Sequence, residues 1–171
     1  METLALRPAR AGDRELLFRI YAATRAEELA MVPWDDAAKQ AFLRRQFAAQ
    51  SASYASYRGR SEQIVVVGGE PAGRLYLART DAEILIVDIA LLPEHRGRGI
   101  GTKLVRGVLD EAAAAGKRVR IHVERFNRAR HLYRRLGFEH VADEGVYLLL
   151  EAAPSGASRD TTTRSRAAHR G

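Results

Sequence analysis

The sequence contains no cysteine, one tryptophan and two methionines among 171 residues. The absence of cysteine excludes a disulfide scaffold, a thiolate metal site and a covalent acyl-cysteine intermediate, and we expect no metal cofactor. No apolar run approaches the roughly 18–20 residues that cross a bilayer. The N-terminal stretch carries Glu2, Arg7 and Arg10 and lacks the apolar core of a signal peptide. We therefore expect a cytoplasmic protein with no membrane partner.

Positive charge is concentrated in two places. The formal net charge is +7, of which +3 lies after residue 151, where four arginines stand against one aspartate. Much of the remainder lies between Arg96 and Arg106. A cluster of this kind suits a polyphosphate ligand as well as a nucleic-acid backbone, so charge alone does not choose between these ligands.

Hydrophobic periodicity predicts the element order β-α-α-β-β-β-α-β-α-β-β and a mixed α/β sheet. Asp13 and either Asp35 or Asp36 are predicted to begin the first two helices, and residues 51–57 to form a loop. Gly99 precedes a third helix, and Asn127 is predicted to cap a short fourth one. Strands are predicted over residues 3–7, 64–67, 73–77, 84–91 and 119–123, with two more between 138 and 151.

The composition changes after residue 151. Hydrophobic residues make up 46% of the whole chain, enough for one compact domain with a core, which we assign to residues 1–151. Residues 152–171 are rich in Ala, Ser, Thr and Arg without apolar periodicity, so we predict a basic, disordered tail. Such a tail suits contact with RNA or an acidic partner, although an inert solvated extension is the more common case.

The stretch from Leu92 to Thr102 carries the main chemical signal. It follows a predicted buried strand, opens an amphipathic helix, and places glycine at alternate positions, Gly97, Gly99 and Gly101. Glycine lets the backbone turn sharply, and the free amides of the first helical turn then favour an anion. Arg96 and Arg98 add charge beside these amides. The pattern predicts an anion site that suits phosphates.

Spacing excludes two common phosphate motifs. A Walker loop requires Gly-Lys-Ser/Thr after its spacer, whereas here Lys103 follows Thr102. The dinucleotide fingerprint would require glycine at position 102 after Gly97 and Gly99, and threonine stands there instead.

The stretch resembles the acetyl-CoA motif of the GCN5-related N-acetyltransferase (GNAT) superfamily, Gln/Arg-x-x-Gly-x-Gly/Ala. Arg96, Gly99 and Gly101 fill this motif without a departure. Residues 89–93 resemble that superfamily's fourth strand and its proline. Asn127, followed by Tyr133 and by residues 136–138, resembles its later asparagine, tyrosine and Gly-Phe segment. The resemblance extends over nearly all of residues 1–151 and implies a mixed, mostly antiparallel sheet of about seven strands with flanking helices.

The resemblance implies acetyl-CoA as the cosubstrate. It assigns the pantetheine and thioester to main-chain groups of the fourth strand, which must part from its neighbour over 119–124 to free them, and the pyrophosphate to the glycine-spaced turn. Asn127 matches a cofactor-contacting position and is also an ordinary helix cap. Tyr133 matches the tyrosine that protonates the departing thiolate, with core packing against Phe138 as the alternative. The cofactor-binding residues implied in this way are Ile89, Ala90, Leu91, Arg96, Gly97, Arg98, Gly99, Ile100, Gly101, Thr102, Asn127 and Tyr133.

The general base is left open among carboxylates and a histidine. Attack requires a neutral amine, whereas a primary amine is largely protonated at neutral pH. Glu124 and His122 share one face of the predicted fifth strand and are favoured jointly, with pairing of Glu124 to Arg120 or Arg125 as the structural alternative. Asp88, isolated in an apolar run, is the next candidate, and Glu83 is another.

These observations predict a transferase that moves an acetyl group from acetyl-CoA to a primary amine by direct attack in a ternary complex. The acceptor is either a small amine or a protein N-terminus or lysine. The acidic and aromatic residues near the first two helices suit a cationic amine; they are Glu27, Glu28, Trp34, Asp35 and Asp36. Two alternatives are a catalytically silent CoA-binding module and a ribosome- or RNA-associated protein that acts through its tail. Nucleic acid is not the favoured partner, and a homodimer is left open.

Overall fold

The computed structural model describes residues 2–154. Its elements follow the predicted order, and its seven-stranded sheet with flanking helices confirms the predicted fold class. The strands are β1 (Leu4–Pro8), β2 (Arg60–Val67), β3 (Glu70–Arg79), β4 (Glu83–Leu91), β5 (Arg118–Glu124), β6 (Glu139–Glu144) and β7 (Tyr147–Ala152). The helices are α1 (Arg14–Ala30), α2 (Asp36–Ala55), α3 (Ile100–Ala115) and α4 (Ala129–Arg135).

The sheet has the spatial order β1-β2-β3-β4-β5-β7-β6. Every neighbouring pair is antiparallel except β4 and β5, which run parallel because the chain returns through α3. The parallel pairing begins at Glu83 and Arg118 and ends at Ile86 and Ile121. Beyond that point β5 stays paired with β7, so the remainder of β4 has no partner on the β5 side. This confirms the predicted separation of the two strands.

A β-bulge reverses the faces of β4. Val87 is the extra residue, because Tyr76 pairs with Asp88 whereas Leu77 pairs with Ile86. Before the bulge, Ile86 belongs to the main core beside α3. After it, Ala90 packs with Ile20 of α1. Residues of even number therefore change from the α3 side to the side of α1 and α2.

The helices cover both faces of the sheet through separate apolar clusters. The larger cluster joins α3 to the strands, and Val105, Leu75 and Val119 are completely or almost completely buried in it. A second cluster joins α1 to α2, with Phe18 packed edge-on against Phe47 at a ring separation of 5.6 Å. The central strand β3 is thus removed from water on both faces, which is the main stabilising contribution in such a fold, whereas the edge strands β1 and β6 stay largely exposed.

Helix α2 is longer than predicted. It begins as expected, with the Asp35 carboxylate accepting from the Ala38 amide at 2.7 Å. The prediction of a loop over residues 51–57 is wrong, because α2 runs to Ala55. Gln50 and Tyr54 lie one turn apart and both bond to groups on the sheet, which holds the last turns helical.

The predicted tail lies almost entirely outside the described residues, and the boundary at residue 151 stays a prediction. Strand β7 ends at Ala152. In the described part of the chain, none of the helices is both long and apolar enough to span a bilayer. The cytoplasmic location also stays a prediction.

Asp13 connects the end of β1 to the start of α1. It occupies the predicted cap position, but its carboxylate accepts two bonds from Arg7, both 2.8 Å, and one from the Arg10 amide at 2.7 Å. These bonds lower the pKa of Asp13 to about 2, and those from Arg7 contribute most.

We expect Asp13→Asn to lower the melting temperature at pH 7 and to reduce the sensitivity of the fold to acid. Because the folded-state pKa is depressed, this stabilisation is present above the ordinary pKa of about 4 and is lost as the pH falls toward 2. Thermal unfolding followed by circular dichroism between pH 7 and 2 measures it. Asp81→Asn, at an exposed carboxylate in the β3–β4 turn, is the control and should follow the unsubstituted protein. Identical melting curves for both variants would contradict the assignment.

Candidate active site

A cleft of about 590 Å³ opens where β4 and β5 separate. Its walls come from the ends of α1 and α2 on one side and from β4, β5 and α4 on the other. The cleft brings together most of the side chains singled out in the sequence. These are Asp88, His122, Glu124, Asn127 and Tyr133, with Ile89 beside them.

Asp88 lies on the floor of this cleft because the bulge turns it toward α2. Its Oδ2 atom accepts from the Tyr54 hydroxyl at 3.1 Å and from the Arg74 guanidinium. The other oxygen, Oδ1, binds no group among residues 2–154. The carboxylate is therefore held by one oxygen and presents the other to the cleft.

Arg74 is one of the residues that the sequence analysis missed. Its side chain is only 2% exposed and also donates to Gln50 Oε1 at 2.8 Å. Its Cζ atom lies 5.3 Å from the centroid of the Tyr76 ring. Removing one partner of a buried pair of this kind typically costs about 3–5 kcal/mol. The available signal was Asp88 itself, because a buried carboxylate requires a partner and Arg74 is a charged residue within the apolar strand β3.

His122 and Glu124 both face the cleft from β5, as predicted. The Nε2 atom of His122 lies 2.9 Å from Glu144 Oε2, a partner at the end of β6 that the sequence analysis did not find. Glu124 lies 3.9 Å from Arg25 of α1 rather than pairing with Arg120 or Arg125. If the Nε2 proton is donated to Glu144, the Nδ1 atom of His122 is left as an acceptor.

Glu83 is not part of this site. It lies at the opposite end of β4, where it pairs with Arg118 at 3.0 Å and with Arg120 at 3.5 Å. Arg120 is also bound to Glu151 at 3.4 Å. The candidacy of Glu83 as a base is therefore wrong, because it is engaged where β4 and β5 are still paired.

Tyr133 lies on the inner side of α4 and is 4% exposed. Its ring packs edge-on against Phe138 at a centroid distance of 5.6 Å, which agrees with the alternative prediction of a core tyrosine. The residue also lines the cleft. Burial, with the Asp88 charge as the smaller cause, raises the pKa of Tyr133 to about 12. The hydroxyl therefore stays protonated at neutral pH, as a proton donor requires.

The glycine-spaced turn adopts the conformation that its sequence predicts. Gly97 and Gly99 have φ values of 70° and 77°, and Gly99 is the residue that precedes α3. None of the amides of residues 97–102 donates to a backbone carbonyl within residues 2–154. A series of free N–H groups at the start of a helix is an anion site.

The arginines beside this turn are engaged by protein atoms. Arg96 donates through Nε to the Leu91 carbonyl at 2.9 Å and through Nη2 to the Ala23 carbonyl at 3.4 Å. Arg98 is ion-paired with Glu2. Neither guanidinium stands free beside the amides, so the turn offers an anion mainly its main-chain donors.

Two further sets of predicted residues divide between structural and cleft positions. Asn127 Oδ1 accepts from the Ala129 amide at 2.8 Å just before α4, whose N-cap is Arg128 and not Asn127 as predicted, and Asn127 also lines the cleft. Of the acidic and aromatic residues near α1 and α2, Glu28 lines the cleft, whereas Asp35 caps α2 and Trp34 packs on Phe42 at 5.5 Å.

Among residues 2–154 there is no cluster of three or more His, Asp or Glu side chains suited to a metal ion.

The chain belongs to the acetyltransferase (GNAT) family, whose pattern it matches over residues 18–138. This confirms the resemblance to that family. A curated relative, the thialysine N-epsilon-acetyltransferase of Mus musculus, is 32% identical over 92 residues, which cover 53% of this chain. The chain spans about half of that relative's length, 54%.

Solved structures share the fold at low sequence identity. The PaiA N-acetyltransferase of Thermoplasma acidophilum, in complex with coenzyme A, superposes with a TM-score of 0.65 at 16% identity, covering 88% of this chain and 99% of that one. The ribosomal-protein-S18-alanine N-acetyltransferase of Escherichia coli gives a TM-score of 0.62 at 18% identity, covering 92% and 98%. These relatives establish the fold of the chain and not its acceptor.

We expect Gly99→Ala to weaken CoA binding, because a side chain at positive φ costs roughly 1–2 kcal/mol and shifts the amides of the turn. Gly107→Ala, in the middle of α3 where an added Cβ meets no atom within 4 Å, is the matched control. That substitution should keep CoA affinity and raise stability by about 0.5–1 kcal/mol. Titration calorimetry with CoA and thermal unfolding measure both effects. Equal CoA affinity in the two variants would rule out the turn as the anion site.

We also expect the fold to fail in alkali together with ionisation of its buried tyrosines. Burial holds the pKa of Tyr133 and of Tyr76 at about 12 and raises that of Tyr54 as well. In the unfolded chain these groups ionise near pH 10, so stability is full below that pH and falls as the pH rises toward 12. Tyrosinate absorbance and circular dichroism should change together, less steeply in Tyr133→Phe. Ionisation of all tyrosines near pH 10 in a chain that keeps its helical signal would contradict this.

Proposed function

We propose that this protein transfers the acetyl group of acetyl-CoA to a primary amine by direct attack within a ternary complex. The observation that carries the proposal is the separation of β4 from β5. It opens a cleft that contains the candidate acid and bases, and the free edge of β4 leads from this cleft to the glycine-spaced turn.

The donor would lie along β4 and over the start of α3. The free amides of residues 97–102 would hold the pyrophosphate, where the helix dipole also favours negative charge. The edge of β4 over Ile89, Ala90 and Leu91 would hold the pantetheine and the thioester with main-chain bonds. Arg96 supports this arrangement by tying the end of β4 to α1 through the Leu91 and Ala23 carbonyls.

Tyr133 would act as the general acid. When the carbon–sulfur bond breaks, the thiolate leaves more easily if a positioned hydroxyl supplies a proton. The pKa of Tyr133, raised by burial to about 12, keeps this proton in place until negative charge develops on sulfur. Its ring is fixed by the contact with Phe138, which limits the movement of the hydroxyl.

The proton of the amine would leave toward β5. His122 is oriented by Glu144 through Nε2, which leaves Nδ1 to accept a proton from the amine or from a bridging water. Glu124 faces the same cleft, and together with Glu28 it surrounds Arg25, at 3.9 Å and 3.2 Å. Two carboxylates around one guanidinium leave an excess negative charge near the entrance, which suits a cationic acceptor.

The choice of acceptor remains to be tested. The relatives act on chemically different amines, to judge from thialysine and from the alanine of a ribosomal protein. Tyrosines 54, 57 and 147 join the carboxylates in the wall, and aromatic faces also attract ammonium groups. An amine panel of diamines, amino acids, monoamines and peptides, scored by CoA release, identifies the class.

We expect Tyr133→Phe to lower kcat about 100-fold for the best amine of this panel, because positioned proton transfer contributes about 10²–10⁴-fold. The affinity for CoA, measured by calorimetry, should fall far less than kcat, because main-chain groups of β4 and of the turn would hold most of the donor. Tyr21→Phe, which removes a buried hydroxyl outside the cleft, is the control.

Turnover of Tyr133→Phe at the unsubstituted rate would remove only the acid assignment. A panel without CoA release, together with no heat on addition of CoA or acetyl-CoA, would overturn the proposed function as a whole.

A further inference from the structure

The buried contacts around Asp88 form a small network between α2 and the sheet. Arg74 bonds to Asp88 and to Gln50, and Tyr54 donates to the same Asp88 oxygen as Arg74 does. Gln50 and Tyr54 stand four residues apart on one face of α2. Helix and sheet thus fix one carboxylate oxygen from two directions.

The network leaves one acceptor site unused. Both bonds to Asp88 end on Oδ2, while Oδ1 has no partner among residues 2–154 and the side chain is 15% exposed. Asp88 lines the cleft next to Ile89, the first of the β4 residues proposed to hold the thioester. Asp88 and Tyr133 line the same cleft, and the charge of Asp88 contributes to the raised pKa of Tyr133.

Resting on the proposed function, we propose that Arg74 is a positioning residue for the transfer. It anchors Asp88 through Oδ2, so that Oδ1 faces the nitrogen of the attacking amine. Arg74 itself does not contact the substrates. Gln50 holds the guanidinium in turn, and Tyr54 is the second anchor of the carboxylate.

The chemistry of the step explains the need for a fixed carboxylate. When a neutral amine attacks, the nitrogen–carbon bond forms and the nitrogen becomes positively charged. The carbon–sulfur bond then breaks, and sulfur takes a proton from Tyr133. The nitrogen releases one proton toward His122, which balances the proton that Tyr133 gave. A carboxylate oxygen held beside the nitrogen stabilises its charge during the step, without reorganisation at that moment.

A purely structural role is the competing explanation, because the bonds of Gln50 and Tyr54 to this ion pair also attach α2 to the sheet. The two explanations differ in whether activity is lost apart from stability. If Arg74 acts through Asp88, its removal should cost little activity once Asp88 is already neutral. If Arg74 only holds α2, each loss of activity should follow the loss in melting temperature, because residues in contact are coupled in stability as well.

The test is a double-mutant cycle with Arg74→Met, Asp88→Asn and the double variant, assayed with the best amine of the panel. We expect Asp88→Asn to lower kcat/KM about 100-fold, and the double variant to be no more than about 3-fold worse. CoA affinity should be unchanged throughout. Arg74→Lys should recover part of the activity, because it restores the charge without the second bond to Gln50.

Tyr54→Phe tests the same carboxylate in case the charge variants misfold. It removes one hydrogen bond to Asp88 and leaves the ion pair with Arg74 in place. We expect it to lower kcat/KM about 3- to 10-fold while lowering the melting temperature by only a few degrees, so that the variant stays folded in the assay. The matched control is the cycle of Arg79→Met and Glu111→Gln, an ion pair of 3.0 Å from the same strand to α3 outside the cleft, which should keep full activity.

Additive losses for Arg74→Met and Asp88→Asn would overturn the proposal, as would normal kcat/KM in Asp88→Asn and Tyr54→Phe. Those outcomes leave the proposed function intact. Failure of the unsubstituted protein to release CoA with any amine would remove both.

Discussion

The parting of β4 from β5 is the constraint on which the rest of the site depends. A strand inside a sheet uses its main-chain groups on both sides, so it has none to offer a ligand. Here the parallel pairing stops at Ile86 and Ile121, while β5 continues against β7 and β4 continues against β3. The sheet therefore remains stable on either side of the gap, and the gap itself supplies free donors and acceptors.

The two sides of the gap have different tasks in the proposed reaction. Main-chain groups of β4 and of the turn before α3 suit the long donor, because a pyrophosphate and an extended chain can be held by amides regardless of side-chain identity. Side chains from α1, α2 and β5 suit the acceptor, because they can vary without disturbing the donor site.

Much of this could be predicted from the sequence, because the signals were local. The glycines of the turn, the proline after β4 and the asparagine before α4 each report on the conformation of their immediate neighbours. The parting of the strands followed from the need for free amides. The sequence analysis missed Arg74 and Glu144, because their partners lie 14 and 22 positions away on other strands and only the register brings them together.

The error over residues 51–57 has a similar origin. Serine and tyrosine are common in loops, and nothing local shows that Gln50 and Tyr54 have partners on the sheet. Tertiary contacts outweighed the weak intrinsic preference, and the helix extended. Roles that depend on bound substrates, including those of Asn127 and of the candidate bases, stay predictions.

The extra residue at Val87 makes the bulge in β4 a functional feature. In a regular strand, alternation alone decides which side chains meet the core, and the extra residue of the bulge interrupts this alternation once. If β4 lost the bulge but kept all its residues, Val87 would pair with Tyr76, and Asp88 and Ile89 would exchange faces, placing a charge against α3 and an aliphatic group in the cleft. The irregular pairing of this strand is thus under as strict a requirement as the identity of the carboxylate.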